Sequence, residues 1–178
     1  MPDSAETASN TVGGLFQTDY WNYRMFKTIS ENNKKEVSPG TLGILCHPEH
    51  PLFRQFPTEE HTNWQWFPVI KHSRPLIVDR WPATKPIVQV IDNIERSHRL
   101  ALVLEFAVGS GRLLICMSDL EQASAFIEGR QFFRSILSYM HSADFLPQSR
   151  LSLDEVKTMM RTKTDEMQLE ELNNISPY

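Results

Sequence analysis

Residues 99–117 read RLALVLEFAVGSGRLLICM, two apolar runs separated by Gly109-Ser110-Gly111. Glycine tolerates the positive φ that a tight hairpin turn demands, so the triplet predicts an antiparallel hairpin. Within the first run Leu102, Leu104 and Phe106 alternate with Val103, Glu105 and Ala107. In the second, Leu113, Ile115 and Met117 lead to Asp119. Runs that are apolar on both faces predict central strands covered on both sides.

Working outward, the neighbouring segments supply the covering layers. Upstream, TLGILC (41–46), PLIVD (75–79) and PIVQVID (86–92) are short apolar runs rich in β-branched residues, which predicts further strands. PEHPLFRQF holds one helical turn, and Trp64, Phe67, Ile70 and Lys71 fall at helical spacing. Pro68 lies inside that pattern; it lacks a backbone donor, so the helix starts just before it or kinks there. Downstream, EGRQFFRSILSYMHS predicts a helix whose stripe of Phe132, Phe133, Ile136, Leu137 and Met140 belongs to the core. Ser152 and Glu155 form a capping box at the start of a last helix. Asp19 is placed to cap a helix running to about Ser30.

The expected order is helix, strand, helix, three or four strands, helix, helix, an α/β layered domain with a mixed sheet. The expected organisation is an irregular segment at 1–18, the α/β domain at 19–147, and a C-terminal helix with an acidic tail at 148–178. A strand that should open the sheet is expected to be missing from the N-terminus.

Bulk properties narrow the function. The chain has 178 residues, 40% hydrophobic and 22% charged, which suits one domain. A net charge of -4 and a pI near 5.9 offer no basic face to nucleic acid or to anionic lipid. No apolar run approaches the roughly 18 residues of a membrane helix. MPDSAETASN has neither the basic region nor the apolar core of a signal peptide. Cys46 and Cys116 sit in apolar runs and read as buried free thiols.

Several groups invite a chemical reading. Cys46-His47 places a thiol beside an imidazole at a strand end, where an α/β enzyme can hold a nucleophile. Ile44 and Pro48 occupy the positions where the sharp nucleophile turn needs small residues, so that turn is not supported. His47, His50 and His61 lack the spacing of a zinc motif, and no metal or cofactor is expected. Glu59, Glu60, Glu105 and Asp119 are acid/base candidates by type only; Glu59 and Glu60 read better as charges at a helix entry. FPTEEHTNWQWF (56–67) is the most suggestive stretch. Its flat aromatic rings can stack on a pyranose, and its polar groups can bond the hydroxyls. The carbohydrate-binding candidates are Trp66, His61, Trp64 and Glu60. Helical spacing puts Trp64 with Phe67 in the core and leaves Trp66 the better placed for exposure.

The run GTLGILCHPEHPLFRQFPTEEHTNWQWF, followed by SRPLIVD, PIVQVIDN, RLALVLEFAVGSGRLLICMSDL and the helix ending LSYM, resembles the C-terminal region of bacterial family 2 glycoside hydrolases. These are β-galactosidase-like enzymes, often described as sugar-binding. The resemblance covers about Gly14 to Pro147 and is most specific at FPTEEHTNWQW. It implies a glutamine-amidotransferase-like or flavodoxin-like domain appended after the catalytic barrel. No catalytic residue is carried over, because the family's glutamates belong to that barrel. The implied partners are the barrel and β-sandwich domains of a parent glycosidase, with a glycan or a second copy of the chain as further contacts. The implied setting is periplasmic or extracellular. His47 departs from the acidic or amide residue expected there, and Pro68 from a plain helix former. Two other readings stand beside this one: a free-standing carbohydrate-binding module, and a small α/β hydrolase or amidotransferase-like enzyme using Cys46.

Overall fold

The computed structural model describes residues 10–12, 32–33, 41–93 and 97–161. The helix expected after Asp19, most of the N-terminal segment and the acidic tail lie outside the described residues. Among the described residues six strands form one sheet: β1 (Thr41–Cys46), β2 (Leu76–Ile77), β3 (Val88–Asp92), β4 (Arg99–Val108), β5 (Gly111–Cys116) and β6 (Arg150–Leu151). Four α-helices accompany them among the described residues: α1 (Phe67–Lys71), α2 (Leu120–Ala123), α3 (Ile127–Met140) and α4 (Leu153–Arg161). The main path of the sheet is β1-β3-β4-β2, and β5 and β6 also pair with β4. Among the described residues only the β4–β6 pair is parallel, so the described sheet is mixed but mostly antiparallel.

The ten-residue β4 is the spine. Val108 faces Gly111 across the hairpin, and Gly109 adopts φ 59°, the conformation the turn predicted. Opposite β3 the register slips: Val88 faces Val103 while Gln89 faces Ala101, so Leu102 is an extra residue. This bulge turns consecutive side chains to one face. Leu100, Leu102 and Val103 join the core under α1 and α3, with Ile44, Val90, Trp66 and Phe132. Ala101, Leu104 and Phe106 join a second cluster on the other face, closed by Met159 of α4. The sheet therefore lies between helical layers, with Glu105 returned to the α3 side.

The helices start and stop for local reasons. Pro68 stands at the beginning of α1, where its missing N–H costs nothing, so the helix starts just before it. Asp119 caps α2, its carboxylate accepting from the backbone N–H of Glu121 and of Gln122. The capping box holds: Ser152 N–H donates to the Glu155 carboxylate at 2.7 Å, and Glu155 N–H to Ser152 Oγ at 3.2 Å. Of the five positions in the stripe expected on α3, Phe132 and Ile136 are buried, but Phe133, Leu137 and Met140 are exposed. The helix rotates so that Gly129, Ser135 and Tyr139 face inward instead. Gly129 decides this, since a Cβ there would lie 2.0 Å from the Ala123 carbonyl oxygen.

Candidate functional site

The aromatic stretch 56–67 is held against the outer edge of β1. Cys46 N–H donates to Glu60 O at 2.9 Å, and Leu45 and His61 form a β-bridge. Ile44 N–H donates to Thr62 Oγ1 at 2.7 Å. Gly43 makes this approach feasible, because a Cβ would meet Thr62 Oγ1 at 2.6 Å. The stretch thereby covers what would be an open sheet edge.

Past this edge the chain makes a 3-10 turn, Trp64–Trp66, and runs into α1. Two side chains tie the turn back to the preceding loop. Gln65 Nε2–H donates to Pro57 O at 2.8 Å, and Trp66 Nε1–H to Thr58 Oγ1 at 2.8 Å. Trp66 is wholly buried, edge-on to Phe56 at 5.2 Å, Phe132 at 5.3 Å and Phe53 at 6.1 Å. The expected roles of the two tryptophans are thus reversed. A helix through 64–71 would have buried Trp64, but the 3-10 turn directs Trp66 inward, and Trp64 is 79% exposed. Three residues per turn align positions 64 and 67. The Trp64 and Phe67 rings stack 5.4 Å apart and 5° from parallel. The Lys71 ammonium stands 6.0 Å from the Phe67 ring centroid, at the limit of a cation–π contact. The result is a flat apolar plate open to solvent with a cation at one end.

Among the other candidates, His61 and Glu60 are exposed along β1. His61 Nε2 lies 3.6 Å from Glu59. The idea that Glu59 and Glu60 serve a helix entry is not upheld, since the first turn of α1 carries no acidic residue. Trp66 leaves the group that can touch a ligand. Phe67 and Lys71 enter it; Phe67's signal was its three-residue spacing from Trp64, which reads as core when a full helix is assumed.

The enzyme-like constellations have structural explanations. The Cys46 thiol is buried, donates to Glu59 O at 3.2 Å and is pushed up to about 11, by burial foremost. Cys116 is also held at about 11 by burial. Neither is a nucleophilic thiolate near neutral pH. His50 Nδ1 accepts from Leu52 N–H and caps the 3-10 turn Pro51–Gln55, and burial lowers its pKa. Among the described residues no three His, Cys, Asp or Glu side chains gather as a metal site. Glu105 accepts from the Tyr139 hydroxyl at 2.7 Å, and burial raises its carboxyl above the usual range. Asp119 is spent on capping α2. No described helix is long and apolar enough to cross a membrane.

The chain belongs to the family described as Domain of unknown function (DUF8487), whose model matches residues 1–161. A search of curated proteins gives no match.

Proposed function

We propose that this chain is a non-catalytic accessory domain of a β-galactosidase-like glycoside hydrolase, and that its Trp64–Phe67 plate contacts a glycan. The observation that carries the reading is the exposure of Trp64 on Phe67 within the stretch where the resemblance is most specific. An indole with one free face offers the apolar C–H face of a pyranose a stacking surface, and nearby polar groups set orientation. Gln65, His61 and Glu60 supply such groups in the same stretch. The partners in this reading are the barrel and β-sandwich domains of the parent enzyme, with a second copy as a further contact. The setting is periplasmic or extracellular.

The finer architecture implied by the resemblance, an amidotransferase-like or flavodoxin-like sheet, is part of the same proposal. It rests on the resemblance alone, because four of the five described strand pairings are antiparallel. A free-standing carbohydrate-binding module would use the same plate. No specific observation favours a hydrolase built on Cys46, given its buried thiol.

The test mixes the chain with the separately produced barrel and sandwich domains of a family 2 glycosidase and follows nitrophenyl-galactoside hydrolysis. The expectation is no turnover by the chain alone and a change in activity or stability of the mixture. Turnover by the chain alone, abolished by a point substitution within it, would overturn the proposal.

A further inference from the structure

The outer edge of β5 and one flank of α3 form a common open border. Among the described residues β5 pairs with β4 alone. Its hairpin closes on the pair Val108–Gly111, and Met117 N–H donates to Leu102 O at 2.8 Å. Bonding alternates along an antiparallel strand, so Gly111, Leu113 and Ile115 turn their backbone groups toward β4. Arg112, Leu114 and Cys116 turn theirs outward. The border stops at Met117, whose carbonyl accepts from Arg74 N–H. Sheet edges are commonly blunted by lysine, proline or a bulge. Residues 112–116, RLLIC, carry no lysine or proline, and the β4–β5 register runs without a slip.

The helix above is open on the same side. Leu114 faces α3, because it pairs with Glu105, which accepts from Tyr139 of that helix. Past the helix, Phe145 packs edge-on to Tyr139 and lies against Arg112 of β5. Gln131 and Ser135 fasten the far flank of α3 to the turn that follows β1, donating to Gln55 O and Leu52 O. Phe133, Leu137 and Met140 lie on the opposite flank, toward β5, and are exposed. Gly129, one turn before Phe133, meets Ala123 of α2, the helix into which β5 leads.

Both features are self-complementary about one point. Arg112, Leu114 and Cys116 can bond the same residues of a second, antiparallel copy, Leu114 to Leu114 and Arg112 to Cys116. The two Arg112 residues then stand about 14 Å apart along the seam, at 3.4 Å per residue, beyond the range of charge repulsion at physiological salt. A parallel alignment would set them side by side. Leu114 lies beneath the stretch of α3 around Tyr139, so the same two-fold axis brings α3 beside its copy with Leu137 near the centre. Strands stand about 4.8 Å apart and packed helices about 8–10 Å. Two helices that each rest over a β4–β5 pair are therefore within packing reach. A lone foreign strand would fill the edge and leave Phe133, Leu137 and Met140 in water; a second copy covers both.

We propose that the β5 edge and the Phe133–Leu137–Met140 flank are the interface of a two-fold homodimer whose sheet runs on from one copy into the other. This gives the second-copy contact a defined surface. It uses no residue of the Trp64 plate, so it stands or falls apart from glycan binding.

Sedimentation velocity of the full chain across the micromolar range should show a species of twice the 20.6 kDa chain mass. Leu137→Glu brings two carboxylates together near the axis and should weaken association at least tenfold; its exposed position spares the fold. Leu114→Pro removes an outward N–H while leaving the bonds to β4, and should act alike. If it fails to fold by circular dichroism, Leu137→Glu carries the test. In a Cys116→Ala background, Leu114→Cys should oxidise to a disulfide-linked dimer, since bonded antiparallel pairs hold their Cα atoms about 5.5 Å apart, within disulfide range. Leu113→Cys, on the other face and opposite Ile115, should not. A chain that stays monomeric into the millimolar range, wild-type association by folded Leu137→Glu, or equal cross-linking of the two cysteine variants would overturn the proposal.

Discussion

Trp64 and Trp66 lie two positions apart and do opposite work. Trp66 fills the core, touches three phenylalanine rings and satisfies Thr58. Trp66→Ala should cost about 3–5 kcal/mol, the range for truncating a large buried aromatic. Trp64→Ala should change stability by no more than about 0.5 kcal/mol, since little of that ring is packed. Urea unfolding of both variants checks the pair; equal losses would contradict the assignment of exposure. Glu105 gives a second prediction at this scale. Its folded carboxyl titrates above the ordinary 4.5, because burial disfavours the charge. The folded state thus binds more protons than the unfolded one just above that pH, and stability falls as pH rises through the window. Glu105→Gln keeps an acceptor for Tyr139 and removes the buried charge. Its melting temperature should exceed wild type at neutral pH, with the gain vanishing by about pH 4. A gain that persists in acid would show that charge is not the cause.

Among the elements, β4 and α3 mark what the sequence disclosed and what it hid. The hairpin at Gly109-Ser110-Gly111, the strand TLGILC, the start of α1 before Pro68 and the capping box on α4 were all legible, because each rests on local chemistry. The bulge at Leu102 was not: it depends on the register against β3, which no periodicity within β4 contains. The two-residue β6 was equally hidden, since its partner lies more than forty residues away. The plate was partly legible. Its residues stood out by type, but a full helix was assumed where a 3-10 turn precedes α1, and this exchanged Trp64 with Trp66. The stripe on α3 went astray through Gly129, whose close approach to α2 sets the rotation of the helix. Gly129→Ala should therefore destabilise by about 1–3 kcal/mol, the cost of overpacking a close contact. A thermal melt unchanged by that substitution would mean the two helices are free to separate. Ser152→Ala removes half of the capping box and should cost about 1 kcal/mol, read as faster amide exchange confined to α4.

At the scale of the molecule, the sheet keeps its chemistry-bearing groups occupied. Cys46 and Cys116 are thiols raised by burial, Asp119 caps a helix, His50 caps a turn, and Glu105 holds Tyr139. His50 sets an acid limit: its folded pKa lies below 6.5, so its contribution is complete above that value and is lost as pH falls through the lower one. In the stretch 56–67 the Trp64 plate faces solvent beside the exposed Glu60 and His61, and the proposed function turns on that plate binding a sugar. The most direct test follows tryptophan fluorescence while methyl β-galactoside and short β-galactosides are titrated into wild type and Trp64→Ala. The account predicts a saturable change in wild type that disappears in Trp64→Ala, while Trp66 continues to report an intact core. A flat wild-type titration, or an equal response in Trp64→Ala, would contradict it.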